Sequence, residues 1–357
     1  MEERRRWLLL PSKGGSPRSK ISMDKVRFSV INMNHNHIYS QVNAMLEGGA
    51  ELISCYAAEP ELVEPFTQVF PQATLKRSAE EILEDESIHM VLTSGINSER
   101  APLGIRVMQH GKDFMTDKPG FTTLDQLETA RRVQKESGRI YSICFSERFE
   151  NQAAVMVGNL VVEGAIGKVI QTIGLGPHRA NPMLRPAWFF EKAEYGGILC
   201  DIASHQVDQF LFYTGSKQAE VVTSQVGNFY HPEYPELEDF GDMVLRSEHA
   251  TGYVRVDWFT PDGLPTWGDG RLFVLGTDGY IEARKYIDLE GRSGGNHVFL
   301  VNQEGVQYID CSEVELPYGR QLVEDVLNRT ETAMSQEHCF LVSELALRAE
   351  ANAKHIP

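Results

Sequence analysis

The sequence predicts an α/β protein in two parts: a doubly wound parallel sheet, then an α+β unit built on a large, mainly antiparallel open sheet. Two observations carry this. From residue 26 to 145, short apolar runs alternate with amphipathic stretches of helical period, the pattern of parallel strands joined by crossover helices. Past Glu147 the period becomes two, in segment after segment with few helices between, as an antiparallel sheet reads.

Residues 26–31 form a short apolar strand, followed by a polar turn and a helix over 38–46 that Gly48 and Gly49 stop. A buried strand over 52–57 ends at Glu59-Pro60, and 61–70 is its helix. Ser78, with Glu81 three residues on, is a capping box in which hydroxyl and carboxylate satisfy free N–H groups at a helix start. Strands over 89–93, 113–116 and 140–145 alternate with helices over 101–110 and 124–135, closed by Gly111 and Gly138. Together these make a Rossmann-type domain over 25–147. In the second domain, 148–357, a helix over 153–163 precedes strands over 168–175, 220–226, 242–245, 252–259, 271–275, 280–283 and 298–301. Two late helices, 322–328 and 339–353, are expected to cover one face of that sheet.

Residues 1–24 stand apart. Arg4-Arg5-Arg6 and Trp7-Leu8-Leu9-Leu10 begin like a signal peptide, but the apolar run stops at Pro11, short of the roughly 7–15 residues such a core needs. The remainder is rich in Gly, Ser, Pro and Lys and reads as a disordered tail, with Met23 the functional start.

The 357 residues suffice for two domains, and 34 basic against 50 acidic side chains give a formal charge of −16. So acidic a surface repels phosphate backbones and anionic lipid, which argues against nucleic acid and membrane partners. No apolar run approaches the roughly 20 residues a membrane span needs. Five scattered cysteines without a Cys-x-x-Cys pair read as reduced, buried thiols and place the protein in the cytoplasm.

The first strand-to-helix turn, Asn32-Met33-Asn34-His35-Asn36-His37, stands where a dinucleotide-binding sheet carries Gly-x-Gly-x-x-Gly and receives pyrophosphate at the helix N-terminus. All three glycine positions are replaced. Asparagine tolerates positive φ better than other non-glycine residues, so the turn can survive, whereas His37 is expected to push strand and helix apart. On its own the segment reads equally as a polar loop opening a helix. His35 and His37 have no evident third ligand in the sequence, so no metal is assigned. Glu59, closing the next strand, is placed to accept hydrogen bonds from a ribose and to repel a 2′-phosphate, which favours NAD over NADP. A solvated Glu ahead of Pro60 is the plain alternative.

Thr116-Asp117-Lys118-Pro119 ends a strand at the sheet edge where ligands of open α/β sheets gather. Asp201, His205 and Asp208 fall at i, i+4 and i+7, one face of an otherwise apolar helix that follows Gly196-Gly197. Ionisable groups on a buried face call for a function. For substrate, His178 lies at the end of the 168–175 strand, Arg185 and Trp188 follow, and Trp267 in a glycine-rich loop offers an aromatic face to a sugar. Arg148 reads equally as a bridge between domains and as a ligand contact.

With these residues in view, the chain from Val26 onward resembles the glucose–fructose oxidoreductase / inositol dehydrogenase / rhizopine-catabolism (Gfo/Idh/MocA) family. The family's Glu-Lys-Pro motif appears as Asp117-Lys118-Pro119 after Gly111-Lys112, and its Thr-Pro-Asn-x-x-His loop as Gly95-Ile96-Asn97-Ser98-Glu99-Arg100. Its Gly-Gly…Asp-x-x-x-His-x-x-Asp helix is intact, Trp188 has a counterpart, and so has the turn Gly276-Thr277-Asp278-Gly279. The glycine turn is the departure. The resemblance implies an NAD-dependent oxidoreductase moving hydride between nicotinamide and a secondary alcohol of a sugar, polyol or cyclitol. It implies a cofactor site at Asn32, Asn34, His35, Asn36, His37, Glu59, Gly95, Asn97, Arg100, Asp117 and Lys118. His205 would then be the base, chosen because a free imidazole titrates near neutral pH, with Asp201 setting its orientation and charge and Lys118 stabilising negative charge on oxygen. Redox-neutral sugar chemistry with retained NAD, and a non-enzymatic sensor, are the alternatives. An open sheet usually needs covering, so a homodimer or homotetramer is expected.

Overall fold

The computed structural model describes residues 25–356; the 1–24 segment read as a tail lies outside them. The parallel part alternates strand and helix: β1 (Arg27–Ile31), α1 (His37–Glu47), β2 (Glu51–Tyr56), α2 (Pro60–Val69), β3 (Thr74–Leu75), α3 (Ala79–Leu83), β4 (Met90–Thr93), α4 (Asn97–Gln109), β5 (Asp113–Asp117), α5 (Leu124–Ser137) and β6 (Tyr141–Cys144). Its strands lie in the order β3-β2-β1-β4-β5-β6, all parallel, the doubly wound arrangement whose ligand crevice opens where the order reverses, between β1 and β4. Strands β4, β5 and β6 are buried along their whole length, the polar Asp113, Thr116, Asp117 and Ser142 included, so they show no period-two alternation of exposure. Helix α1 packs directly on the sheet through Ile38, Val42 and Met45, all fully buried. His37 therefore does not wedge strand from helix; its ring turns to Asp117 instead.

Two short helices, α6 (Ser146–Phe149) and α7 (Gln152–Val162), lead into β7 (Val169–Pro177). Helices α8 (Lys192–Tyr195), α9 (Ile198–Asp201) and α10 (Ser204–Thr214) follow, then β8 (Glu220–Gly227), β9 (Phe240–Arg246), β10 (Thr251–Asp257), β11 (Arg271–Gly276), β12 (Gly279–Arg284), β13 (His297–Asn302) and β14 (Gly305–Asp310). Helices α11 (Tyr318–Asn328) and α12 (Gln336–Ala351) and a short β15 (Lys354–Ile356) complete the described chain. The second sheet runs β14-β13-β12-β11-β7-β10-β9-β8-β15 and is antiparallel except for the β7–β10 and β8–β15 pairs. The parallel β7–β10 pairing sets the C-terminal ends of two strands side by side, and the site uses both.

Three strands escaped the sequence reading: β3 is two residues long, and β14 and β15 lie at the sheet's edges, mostly exposed, without the alternating burial that marks a strand. The capping box is also shifted. Ser78 Oγ accepts from the Glu81 N–H at 3.4 Å, but the Glu81 carboxylate accepts from the Arg77 N–H, one residue earlier than the motif requires. The late helices do not simply cover the second sheet. Helix α11 returns to the first domain, where Gly319 sits so close to α1 that an added Cβ would meet the Ala44 carbonyl at 2.0 Å. Helix α12 packs on α9, α10 and β8 but also on α5 and β6, joining the two sheets. All five cysteines are free and buried. Among the described residues, no helix is long and apolar enough to cross a membrane.

Candidate active site

A cavity of about 360 Å³ opens between the C-terminal edge of the parallel sheet and the ends of β7 and β10. His35, Asn36, His37, Asn97, Arg100, Asp117 and Lys118 line it from the first domain, and His178, Arg185, Asp201 and Trp267 from the second. A larger cleft of about 810 Å³ beside α1 and residues 314–320 carries none of the residues singled out from the sequence. Volume alone does not choose the site; the convergence of chemistry does.

The turn after β1 keeps its shape without glycine. Asn32 adopts φ of +60°, the left-handed conformation that the first glycine would have taken. Its N–H bonds the Tyr56 carbonyl at 2.8 Å, and its own carbonyl accepts from Ser94 N–H at 3.2 Å, so one residue ties the ends of β1, β2 and β4. Gly95 makes room for its side chain, since a Cβ there would lie 3.2 Å from Asn32 Cβ. Asn34, after β1, and Glu59, after β2, meet in space, Asn34 Nδ2 donating to Glu59 Oε1 at 3.1 Å, while Asn34 Oδ1 and Glu59 Oε2 are buried with no partner among the described residues. At the start of helix α1 the N-cap residue Asn36 makes no side-chain cap bond and the first turn holds no acid, while His35 Nδ1 accepts the His37 N–H at 3.2 Å. Orphaned acceptors beside a helix N-terminus with no acid in its first turn are the donor and acceptor set that a ribose and a pyrophosphate would satisfy, so a dinucleotide fits these residues.

Lys118 is joined to Pro119 by a cis peptide bond, and its ammonium reaches Asp201 Oδ1 at 2.9 Å. Arg100, expected as a cofactor contact, is 1% exposed, and its guanidinium holds backbone. It donates to the carbonyls of Gly95 at 2.8 Å, Lys118 and Pro119, and approaches Asp117 at 3.4 Å. The Lys118 side chain thus leaves a turn that Arg100 clamps. Helix α4 begins four residues before its predicted start, which puts Asn97 and Arg100 in its first turn; Asn97 donates across the domain seam to the Tyr195 carbonyl at 2.9 Å.

The Asp-x-x-x-His-x-x-Asp helix is broken in two. Asp201 ends α9, and His205 and Asp208 belong to α10. Its three ionisable groups then diverge. Asp201 pairs with Lys118. Asp208 takes a bidentate bond from Arg148 at 2.6 and 2.7 Å and another from His338 at 2.7 Å, which makes Arg148 a bridge within the fold. His205, 2% exposed, makes no hydrogen bond to Asp201 among the described residues, so the expected orienting contact is absent, and its Nδ1 is buried without a partner. Burial pushes His205 down to about 3, with the Lys118 and Lys285 charges adding to the effect and Glu147 opposing it. That lies below the free-imidazole value for which His205 was chosen as base, and burial favours its neutral form.

His178 lies at the end of β7, with Nδ1 3.1 Å from the Gly176 carbonyl and its ring edge-on to Trp258 and tilted against Trp267, centroids 5.3 and 4.5 Å away. Burial lowers it to about 4. Arg185 is half-buried, donating to the Ala180 carbonyl at 3.0 Å and lying over the rings of Phe189 and Trp258. The sequence reading missed Trp258. It follows β10, and the parallel β7–β10 pairing carries it beside His178; a strand's end can be read from sequence, but its neighbour cannot. Glu147 was missed too. It is 3% exposed, bound to the buried Lys285 ammonium and to Gln206 Nε2 at 2.9 Å, and lowered to about 2: burial raises it, and the Lys285 ammonium together with His205 and His178 more than offsets that.

A GFO/IDH/MocA C-terminal domain model matches residues 155–282. A crystal structure from Erwinia carotovora atroseptica SCRI1043, whose oxidoreductase activity is itself an assignment, is 46% identical and superposes with a TM-score of 0.91 over 93% of this chain and all of that one. Among curated proteins, NADP-dependent scyllo-inositol 2-dehydrogenase IolW of Bacillus subtilis is 29% identical over 49% of this chain and 48% of its own length. The NAD-dependent scyllo-inositol 2-dehydrogenase of the same organism is 28% identical over 56% of each chain. The matches span about half the length of these curated relatives. A complex of levoglucosan dehydrogenase with NADH and levoglucosan, 16% identical, shares the fold, with a TM-score of 0.77 over 92% of this chain and 97% of that one. The chain belongs to the GFO/IDH/MocA family.

Proposed function

We propose that the protein is an NAD-dependent oxidoreductase that moves hydride between the cofactor and a secondary alcohol of a sugar, polyol or cyclitol. The observation that carries this reading is the Lys118–Asp201 pair, an ammonium from one domain held by a carboxylate from the other in a cavity that also holds the turn before α1 and an aromatic wall. Asn34 and Glu59 would hold the adenosine ribose and the start of α1 the pyrophosphate, and the bound dinucleotide supplies the hydride acceptor.

Lys118 Nζ, positioned by Asp201, donates to the substrate hydroxyl and stabilises negative charge on its oxygen. His205, neutral, takes the hydroxyl proton, and Glu147 is the group whose charge favours the imidazolium that results. Trp267, 43% exposed, and His178 offer flat faces on which a sugar ring stacks. Names of relatives that act on inositols and levoglucosan support this substrate class.

Nicotinamide reduction at 340 nm in a panel of inositols, anhydrosugars, aldoses and polyols tests the proposal, with fluorescence titration of NADH alongside. A substrate that reduces NAD⁺ is expected. Absence of NADH binding would overturn the reading, and stoichiometric binding with substrate turnover but no net absorbance change would replace it with redox-neutral chemistry.

A further inference from the structure

The residues that replace the glycine-rich turn converge on a third side chain the sequence could not supply. His37 Nδ1 lies 2.9 Å from Asp117 Oδ1, and His35 Nδ1 lies 3.7 Å from Asp117 Oδ2. The two rings meet edge to face, centroids 4.2 Å apart, and one donor atom from each of the three side chains lies within 4.8 Å of the others. We propose that His35, His37 and Asp117 bind a divalent transition-metal ion of the zinc–cobalt class.

The donor set selects the metal. Two imidazoles and one carboxylate suit first-row transition ions, whereas magnesium and calcium prefer sites made of oxygen. Tetrahedral bonds of about 2.0–2.2 Å set donor atoms roughly 3.3–3.6 Å apart, so the His37–Asp117 pair at 2.9 Å opens, the His35–Asp117 pair at 3.7 Å closes slightly, and His35 Nδ1 gives up the His37 N–H it accepts at 3.2 Å. The frame is already fixed. His35 is tied at both backbone atoms to Ser94, its N–H bonding the Ser94 carbonyl at 3.0 Å and its carbonyl accepting from Ser94 Oγ at 2.6 Å. Asp117 is oriented by the Lys118 N–H at 2.8 Å and by Arg100, as a ligating carboxylate is normally held by a surrounding shell.

All three side chains line the cavity that holds Lys118. Three protein ligands facing a cavity leave coordination positions open, the arrangement that admits an oxygen ligand from solvent or substrate. The Arg100 and Lys118 charges nearby oppose a cation, so a micromolar and not a picomolar site is expected. The inference does not depend on the dinucleotide reading.

The test is titration of chelator-treated, untagged full-length protein with Co²⁺ alone, followed by its visible absorption, and with Zn²⁺ and Mg²⁺ by calorimetry. Expected are one Co²⁺ or Zn²⁺ per chain, intensified d–d bands from nitrogen ligation, and no comparable Mg²⁺ uptake. His35→Ala and His37→Ala, both at partly exposed positions, should each weaken Co²⁺ binding by roughly tenfold or more, since losing even a supporting contact around a metal does so. No stoichiometric binding by the unaltered protein, or binding left unchanged in both variants, overturns the proposal. NADH titration of the metal-free protein reports on the dinucleotide reading separately, so either idea can fail while the other stands.

Discussion

Lys118 Nζ meets Asp201 Oδ1 at 2.9 Å across the seam between the two sheets, with the side chains only 8% and 10% exposed. The contact joins the end of β5 to the end of α9, from opposite halves of the molecule. It also reassigns Asp201. In sequence Asp201 is the neighbour of His205 one helical turn on; in the fold it is the partner of a lysine 83 residues away.

Lys118→Met should lower kcat by about 10²–10⁴, the range that loss of a proton-handling group commonly costs. It should also destabilise the fold by about 3–5 kcal/mol, because it strands a buried carboxylate. Pairing it with Asp201→Leu should restore much of the stability and none of the turnover. Urea unfolding and steady-state rates on both variants separate the two effects.

Glu59→Ala removes the acceptor proposed for the adenosine ribose and opens space for a 2′-phosphate. Affinity for NADH should fall by roughly tenfold, about 1.4 kcal/mol, while affinity for NADPH rises or holds. Fluorescence titration with the two nucleotides checks it; an unchanged ratio of the two constants would remove Glu59 from the cofactor site.

The Glu147–Lys285 pair is almost wholly buried, side chains 3% and 0% exposed. Lys285→Met should cost about 3–5 kcal/mol by leaving Glu147 uncompensated. The double change Glu147→Leu with Lys285→Met should recover most of that loss, while a rate defect remains if Glu147 favours a charged His205. Chemical denaturation and kcat of the unaltered protein and the two variants decide it.

Glu350 faces Glu238, and both are bridged by Lys192, 2.7 Å from Glu350 Oε1. Their other oxygens accept the N–H groups of Leu199 and Ile198, at the start of the helix that carries Asp201. Gly197, at φ of +93°, permits this, since a Cβ there would strike the Glu350 carboxylate at 2.1 Å. Burial and the Glu238 charge push Glu350 up to about 7. The folded state therefore holds this proton more tightly than the unfolded chain does. Its contribution to stability is complete below the ordinary glutamate range and is lost as pH rises through about 7. Between pH 5 and 8 the Tm of the unaltered protein should fall relative to that of Glu350→Gln, and thermal unfolding of both across that range is the measurement. A constant difference would refute it.

Much of the architecture was legible along the chain. Alternation of apolar runs and helical periods gave the parallel strands from β4 through β6 to within a few residues, because those strands are buried on both faces and leave no polar alternation. The second sheet's inner strands were equally plain. Edge strand β14 was not, because exposed residues carry no period to read. Lys118 and Asp201 stood out by residue type and spacing, and the left-handed turn at Asn32 followed from what asparagine tolerates. His205 was found, but its environment was not: its lowering to about 3 comes from burial first and then from ammoniums on remote segments.

By itself the sequence determined local geometry and the order of elements, since hydrophobic period, caps and turn residues act over a few neighbours. Which charges face each other was decided only by the tertiary structure. Asp117 with His35 and His37, Asp201 with Lys118, and Glu147 with Lys285 are each separated by scores of residues, and an electrostatic partner depends on distance in space and on the water excluded between.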